Sequence, residues 1–323
     1  MVKAIRVHRP GGPEALVFEE VALSKPGPGE VQIEHHAIGV NYIDIYRRTG
    51  AYPAPSPFIP GHEGAGKVIA VGEGVEEFEV GDRVAYVGSL GGYSEARNIE
   101  AASLVALPKS VSYETGAAMM LKGLTAQYLL RRTFRVKKGH RILVHAGAGG
   151  VGQLLCQWGR ALGAKVIATV GSEEKARIAE KAGAKHVILY REENFVERVR
   201  EITKGKLCDV VYDGVGKATF PGSLDCLRPF GLFVSFGSAS GPIEAFDLGL
   251  LAQKGSLFAT RPSLFTHIAE RRVYESMTAD MLHSHKRGDV SFEVAERYPL
   301  SEAAKVHAAL ESRQTTGSLV LIP

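Results

Sequence analysis

The sequence predicts an α/β protein in which a doubly wound parallel sheet follows a mainly β N-terminal third. Three observations carry this: a glycine turn between strand and helix, regular strand–helix alternation after it, and short alternating strands parted by Pro/Gly clusters before it. Gly147, Gly149 and Gly152 stand at G-x-G-x-x-G spacing between the apolar run 142–146 and a helix expected over 153–162. The apolar run suits a parallel strand buried on both faces. The first glycine is expected to allow a sharp turn, the second to let backbone approach a pyrophosphate, and the third to pack helix on strand. The helix N-terminus then faces the phosphates, so Gly147, Gly149, Gly150, Val151 and Gly152 are expected to line a dinucleotide site. A second strand at 165–170 completes the βαβ unit.

The alternation continues. Ser172 is expected to cap a helix whose first turn holds Glu173 and Glu174, where the dipole favours anions. Ile178, Ala179 and Ala182 should face inward, and Gly183 should end it. Strands are expected at 187–189, 209–212 and 232–236. Phe195, Val199 and Ile202 mark one helix face, and Phe220, Leu224 and Leu227 another. A helix at 248–253 and a strand at 256–259 follow. From residue 262 the chain reads as helical, mainly over 268–285. Ser301, with Glu302, is expected to cap a helix over Ala303–Glu311 before a closing strand at Ser318–Ile322. Before the glycine turn, alternating segments at 3–7, Leu16–Val21, 31–38, 67–71 and Arg83–Val87 are separated by turn clusters such as Pro10-Gly11-Gly12-Pro13. They predict a compact, barrel-like antiparallel domain. Residues 41–46 have helical apolar spacing, and the Pro-rich stretch 52–57 reads as a loop.

Bulk properties narrow the function classes. With 323 residues the chain has room for two domains, and 45% hydrophobic with 23% charged residues is a globular composition. A net charge of +4 is too small to argue for nucleic acid. Cys156, Cys208 and Cys226 form a sparse, odd set without C-x-x-C, which fits a reducing compartment. No signal-peptide core and no apolar run of about 18 residues is present, so a cytoplasmic protein without a membrane partner is expected.

The run Gly61-His62-Glu63-Gly64-Ala65-Gly66, the stretch V-G-E-G-V-x-x-F-x-V-G-D-R-V over 71–84 and the glycine loop, in that order, resemble the medium-chain dehydrogenase/reductase superfamily. N-Y-I-D-I-Y from Asn41, L-K-G-L-T-A over 121–126, V-V-Y-D-G-V-G over 210–216 and L-E-S-R-Q-T-T-G-S over 310–318 resemble its zeta-crystallin-type NADPH:quinone oxidoreductases. The resemblance covers essentially the whole chain. It implies a Rossmann doubly wound domain (123–261) inserted into a GroES-like, mainly β catalytic domain (1–122), with 262–323 returning to the latter and an active cleft between them. It also implies NADPH as cofactor, a quinone as acceptor, and a homodimer through the edge strand of the Rossmann sheet.

Zinc branches of that superfamily carry a cysteine where Asn41 stands here. Catalytic zinc needs about three protein ligands and structural zinc four. With all three cysteines in the nucleotide domain, no metal is expected; an oxygen-rich site from Asp44, His62 and Glu63 is the alternative. The acid that would hold an NAD ribose about 20 residues beyond the glycines is missing from Val170-Gly171-Ser172. Ser172 and Lys175 instead offer a hydroxyl and a cation to a 2′-phosphate, with Glu173 or Glu174 on the ribose as the alternative. Resemblance adds Tyr190 and Arg313 to that clamp and Phe236, Gly237 and Ser238 to the cofactor loop. Hydride transfer to an electrophilic acceptor asks the protein for placement and for donors to a developing oxyanion. Asn41, Tyr46, Tyr52, Lys122, Thr125 and Arg261 are the candidates, and no single side chain is expected to be an indispensable base. An activated C=C of an enone or alkenal is the alternative acceptor. The basic residues Arg131, Arg132, Arg135, Lys137, Lys138, His140 and Arg141 raise RNA binding, or a structural crystallin-like role, as a different class of function. No aromatic stacking platform accompanies them, and no nucleic-acid partner is expected.

Overall fold

A computed structural model describes every residue except Gln314. The chain divides into two compact units: Met1–Leu121, Glu270–Thr278 and Phe292–Pro323 form the first, and Lys122–Ala269 and Ala279–Ser291 the second.

The first unit begins with β1 (Val2–Val7), β2 (Leu16–Val21) and the long β3 (Glu30–Val40), followed by α1 (Tyr42–Arg48). β4 (Glu63–Val71), β5 (Arg83–Val87), β6 (Ala96–Glu100) and β7 (Leu104–Ala106) lead into α2 (Tyr113–Tyr128). The Ser112 hydroxyl accepts from the Thr115 amide at the start of α2 (3.1 Å), an N-cap in the usual geometry. β3 organises this unit. Along its length it pairs antiparallel with β4, and its early residues also pair with β6. Ile33, Val31 and Val68 close one apolar cluster there with Val84, Tyr86 and Leu104. β6 and β7 are not evident in the sequence, because A-R-N-I-E and L-V-A are too short and mixed to show a period of two.

The second unit holds β8 (Arg141–His145), α3 (Gly150–Ala161), β9 (Lys165–Val170), α4 (Glu173–Lys181), β10 (His186–Leu189), α5 (Phe195–Ile202) and β11 (Cys208–Asp213). The short α6 (Gly222–Asp225), β12 (Leu227–Ser235), α7 (Gly249–Gln253), β13 (Phe258–Thr260) and α8 (Leu264–His267) follow. The sheet order is β10-β9-β8-β11-β12-β13, parallel throughout. This is the doubly wound order in which the chain reverses direction beside its first strand. Several boundaries differ from expectation. Leu227 opens β12 instead of extending the preceding helix, which has only four residues. Ser256 lies outside β13 because its backbone is left-handed (φ 54°). In α4 it is Ala176 that is buried with Ala179 and Ala182, and Ile178 is only half-buried. The expected helix over 268–285 starts at Arg271.

The chain then returns through α9 (Arg271–Lys286) to β14 (Val294–Pro299), α10 (Ala303–Glu311) and β15 (Ser318–Ile322). Ser301 does not cap α10: a 3-10 turn over Leu300–Glu302 runs straight into it. β15 pairs parallel with β14 and antiparallel with the end of β3, so Leu319 and Leu321 pack with Ile38 and Val40 in the first unit. Among the described residues, no helix is long and apolar enough to cross a membrane.

Candidate functional site

The glycine loop has the expected position and a different division of labour. The left-handed turn residue after β8 is Ala146 (φ 54°), not Gly147. Gly147 is needed for packing, since a Cβ there would lie 2.7 Å from the Ala168 Cβ on β9. A Cβ on Gly152 would stand 2.2 Å from the Ala146 carbonyl oxygen, so that glycine seats α3 on the loop. At Gly149, the N-cap of α3, a Cβ would meet only that same oxygen, at 3.2 Å, and no side chain caps the helix. Gly150 and Val151 form the first turn. The amides of this turn are therefore open to an anion along with the helix dipole.

Beneath the loop lies a buried polar chain. The Ser223 hydroxyl donates to Asp213 Oδ2 (2.8 Å) and so accepts from His145 Nε2 (3.0 Å); His145 Nδ1 then accepts from the Thr169 hydroxyl (2.8 Å). His145 is the last residue of β8, Thr169 lies on β9 and Asp213 ends β11. These bonds tie together β8, β9 and β11 near the ends from which their following loops leave. Burial lowers the His145 pKa, opposed by the Asp213 charge, which agrees with this neutral tautomer. Asp213 Oδ1 also accepts from the amides of Val215 and Gly216 (2.8 and 2.9 Å). The loop after β12 packs closely here: a Cβ on Gly237 would lie 2.7 Å from the Gly214 oxygen, and Phe236 rests on Gly214. Arg261 donates to the Ser235 hydroxyl (2.9 Å) and reaches Ser238 Oγ at 3.5 Å.

At the end of β9, Ser172 accepts from the Lys175 amide (3.4 Å) at the start of α4, as expected of a cap. Glu173 and Glu174 are exposed in its first turn. Tyr190 and Arg191 close over Gly171, whose added Cβ would meet the Tyr190 hydroxyl at 2.8 Å and Arg191 Nε at 3.3 Å. The structure thus gathers Ser172, Lys175 and Tyr190 as the sequence suggests. It adds Arg191, which its place directly after Tyr190 could have signalled. Arg313 belongs to the first unit, where its charge acts on the Tyr42 phenol; its neighbour Gln314 in the terminal motif lies outside the described residues.

In the first unit, Asn41 is the N-cap of α1. Its Nδ2 donates to Glu63 Oε1 (2.7 Å), and its main-chain N–H donates to Asp44 Oδ2 (2.8 Å). The Asn41 side chain faces the Asp44 amide in a capping box, while that amide donates to the Asn41 main-chain carbonyl at 3.1 Å. Tyr46, one turn along α1, is half-buried and not core, and its ring lies 5.1 Å from that of Tyr52. The Tyr52 amide donates to the Tyr46 carbonyl (2.9 Å), which folds the Pro-rich loop onto α1. Lys122 and Thr125 are buried on α2. His62 lies against the Gly88 carbonyl (2.7 Å), so its Nδ1 is the donor; burial lowers its pKa to about 4. Among the described residues, no group of three or more His, Cys, Asp and Glu side chains is arranged to hold a metal ion. Asp44, His62 and Glu63 each serve a hydrogen bond in this unit. Of the basic cluster, Arg131 pairs with Asp280 (3.3 Å), the Arg141 amide donates to Asp209 (2.7 Å), and His140 accepts from the Lys137 amide (3.1 Å).

A glycine-looped, doubly wound parallel sheet accompanied by an antiparallel unit defines a dinucleotide-binding oxidoreductase. Two family descriptions match: alcohol dehydrogenase GroES-like domain over residues 27–133 and zinc-binding dehydrogenase over 150–279. A quinone oxidoreductase of Pseudomonas aeruginosa is 50% identical over the full length of both chains. The crystal structure of Escherichia coli quinone oxidoreductase complexed with NADPH superimposes with a TM-score of 0.98 at 48% identity, covering 99% of this chain and all of that one. A 2-haloacrylate reductase of Burkholderia is 45% identical over all of this chain and 99% of its own. The chain belongs to the quinone oxidoreductase family of the medium-chain dehydrogenase/reductase superfamily.

Proposed function

We propose that this chain reduces quinones with NADPH, without a metal ion, using Asn41, Tyr46 and Tyr52 of the first unit and Lys122, Thr125 and Arg261 of the second. The observation that carries the reading is the occupant of position 41. It is an amide held against a carboxylate (2.7 Å), a hydrogen-bond donor where a metal-binding relative would need a thiolate. An acceptor served by such donors must already be electrophilic, as a quinone is. The tilted pair Tyr46 and Tyr52 offers flat faces and phenol O–H groups to an aromatic ring.

NADPH supplies a hydride when bound. The open first turn of α3 with Gly147, Gly149, Gly150, Val151 and Gly152 would hold its pyrophosphate. Ser172, Lys175, Tyr190 and Arg191, with Arg313 by family resemblance, would hold its 2′-phosphate, and Phe236, Gly237 and Ser238 would complete the cofactor loop. The proposed division is a catalytic part, 1–122 with 262–323, and a nucleotide part, 123–261, in a cytoplasmic protein; residues 262–269 and 279–291 cluster with the second unit instead. A second copy would pair along β13, the last strand of the sheet, which carries exposed Phe258. Relatives named quinone oxidoreductase are as much as 51% identical and the 2-haloacrylate reductase 45%, so the double-bond alternative is the weaker one. The test is stopped-flow oxidation of NADPH against a quinone and a 2-haloacrylate, with metal analysis of the same sample and with Lys175→Ala beside the parent. Faster quinone turnover, no stoichiometric metal and a higher KM for NADPH but not NADH in the variant are expected. Preference for the haloacrylate, or a zinc-dependent rate, would refute the reading.

A further inference from the structure

Glu63, the acid of the Gly61–Gly66 run, has no role in the reading above, yet it is fully buried at the start of β4. Its two oxygens serve two donors: Oε1 accepts from Asn41 Nδ2 and Oε2 from the Leu121 amide of α2, both at 2.7 Å. The backbone makes room for it. A Cβ on Gly39 would lie 2.3 Å from Glu63 Oε1 and 2.4 Å from the Ala117 oxygen. Residues 39 and 41 face the same side of the extended chain, so the glycine opens the slot that the Asn41 amide closes.

A carboxylate with both oxygens accepting has no proton to give. The Asn41 atom that meets it is therefore nitrogen, and the amide cannot be flipped. One N–H is spent on Glu63, which leaves the second for a ligand. The other side of Asn41 is held as firmly. Arg48 donates to His307 Nδ1 (3.3 Å), so His307 Nε2 carries the proton toward the Tyr93 hydroxyl (3.0 Å), and Tyr93 donates to Asp44 Oδ2 (3.2 Å), which also accepts from the Asn41 main-chain N–H. Arg48 is in turn paired with Glu311 (2.7 Å). The series leaves α1 at Arg48 and returns to it at Asp44.

We propose that Glu63 is a positioning residue for the reaction: it fixes the Asn41 amide so that its second N–H is presented as a preoriented donor to the reduced oxygen of the acceptor. The proposal rests on Asn41 being that donor. A carboxamide at 63 cannot replace the acid. Its NH2 group meets either the Leu121 N–H, donor against donor, or Asn41, whose carboxamide must then turn over and set its own NH2 against the Asp44 main-chain N–H. Asn41→Asp combined with Glu63→Gln removes this conflict at unchanged net charge. The new carboxamide then accepts from the Leu121 N–H through its oxygen while its NH2 donates to the new acid at 41, but position 41 has lost its N–H.

The test measures kcat and KM for a quinone, NADPH affinity by fluorescence titration, and melting temperature. Glu63→Gln is expected to lower kcat by about 100-fold, the scale of one oxyanion donor, with NADPH affinity unchanged and melting temperature reduced. Glu63→Asp, which keeps the charge but is one methylene too short to meet both donors, should lose kcat likewise. The double variant should regain melting temperature and not kcat. Parent kcat in either single variant overturns the positioning role while leaving Asn41 intact. Parent kcat in the double variant, or in Asn41→Ala, overturns the donor role of Asn41 itself.

Discussion

Gly152→Ala tests whether the glycine loop is held by packing against its own backbone. Alanine is the better helix former by about 1 kcal/mol, and Gly152 lies within α3, so propensity alone would raise stability. Against this, the new Cβ would stand 2.2 Å from the Ala146 oxygen and 3.0 Å from the carbonyl carbons of Ala146 and Gly147. That is more than about 1 Å inside ordinary contact. The opposing atoms are backbone that cannot rotate away, in a turn already left-handed at Ala146. Overpacking of this kind costs about 1–3 kcal/mol and should outweigh the helix gain. A net loss of up to about 2 kcal/mol corresponds to a melting-temperature fall of up to about 8 °C. Lifting α3 off the loop should also weaken NADPH binding by about tenfold or more, ~1.4 kcal/mol. Gly149→Ala is the control. Its Cβ meets one atom at 3.2 Å, so stability should change by about 1 kcal/mol or less, the scale of an N-cap, while NADPH affinity should fall because the proposed pyrophosphate site needs close backbone approach at this position. Differential scanning fluorimetry and cofactor titration on both variants decide it. Parent stability and parent affinity in Gly152→Ala would refute the reasoning.

Two further predictions concern acid stability and assembly. Burial holds His35 and His307 down to about 3 and His62 to about 4, all in the first unit, whereas in the unfolded chain histidine titrates near ~6.5. Between those values the unfolded chain binds more protons, so stability is present above ~6.5 and is lost as pH falls, at up to ~1.4 kcal/mol per pH unit for each residue. The urea midpoint should drop steeply below pH ~6, and a midpoint flat from neutral pH into that range would sink the argument. Phe258→Glu puts a charge on the exposed edge of β13 and should convert the proposed dimer to monomer in sedimentation velocity; a monomeric parent or an unchanged mass in the variant would refute pairing along β13.

Much of the second unit was legible because its signals are local. Strand, glycine turn, helix and strand occupy contiguous stretches, and the parallel order follows from their alternation. Ser172 as a cap is a nearest-neighbour property of the same kind. Errors came where backbone geometry overrode composition. Ala146 rather than a glycine takes the left-handed turn, Leu227 turns from helix to strand within a few residues, and a 3-10 turn forestalls the cap at Ser301. In the first unit the short strands β6 and β7 exist only because β3 and β5 offer them edges, and pairing partners leave no periodicity to read.

The candidate site divides in the same way. Residue types settled what could be offered: glycines for phosphate approach, an amide and phenols as donors, a hydroxyl and cations for a second phosphate. Tertiary structure alone decided how those groups are held. Glu63 meets Asn41 across 22 positions of sequence, Ser223 meets His145 across 78, and Arg191 folds over Gly171 from the turn after the next strand. Hydrogen bonds of that kind depend on distances of a few tenths of an ångström between segments far apart in the chain. A local pattern of residues carries no information at that precision, and packing supplies it.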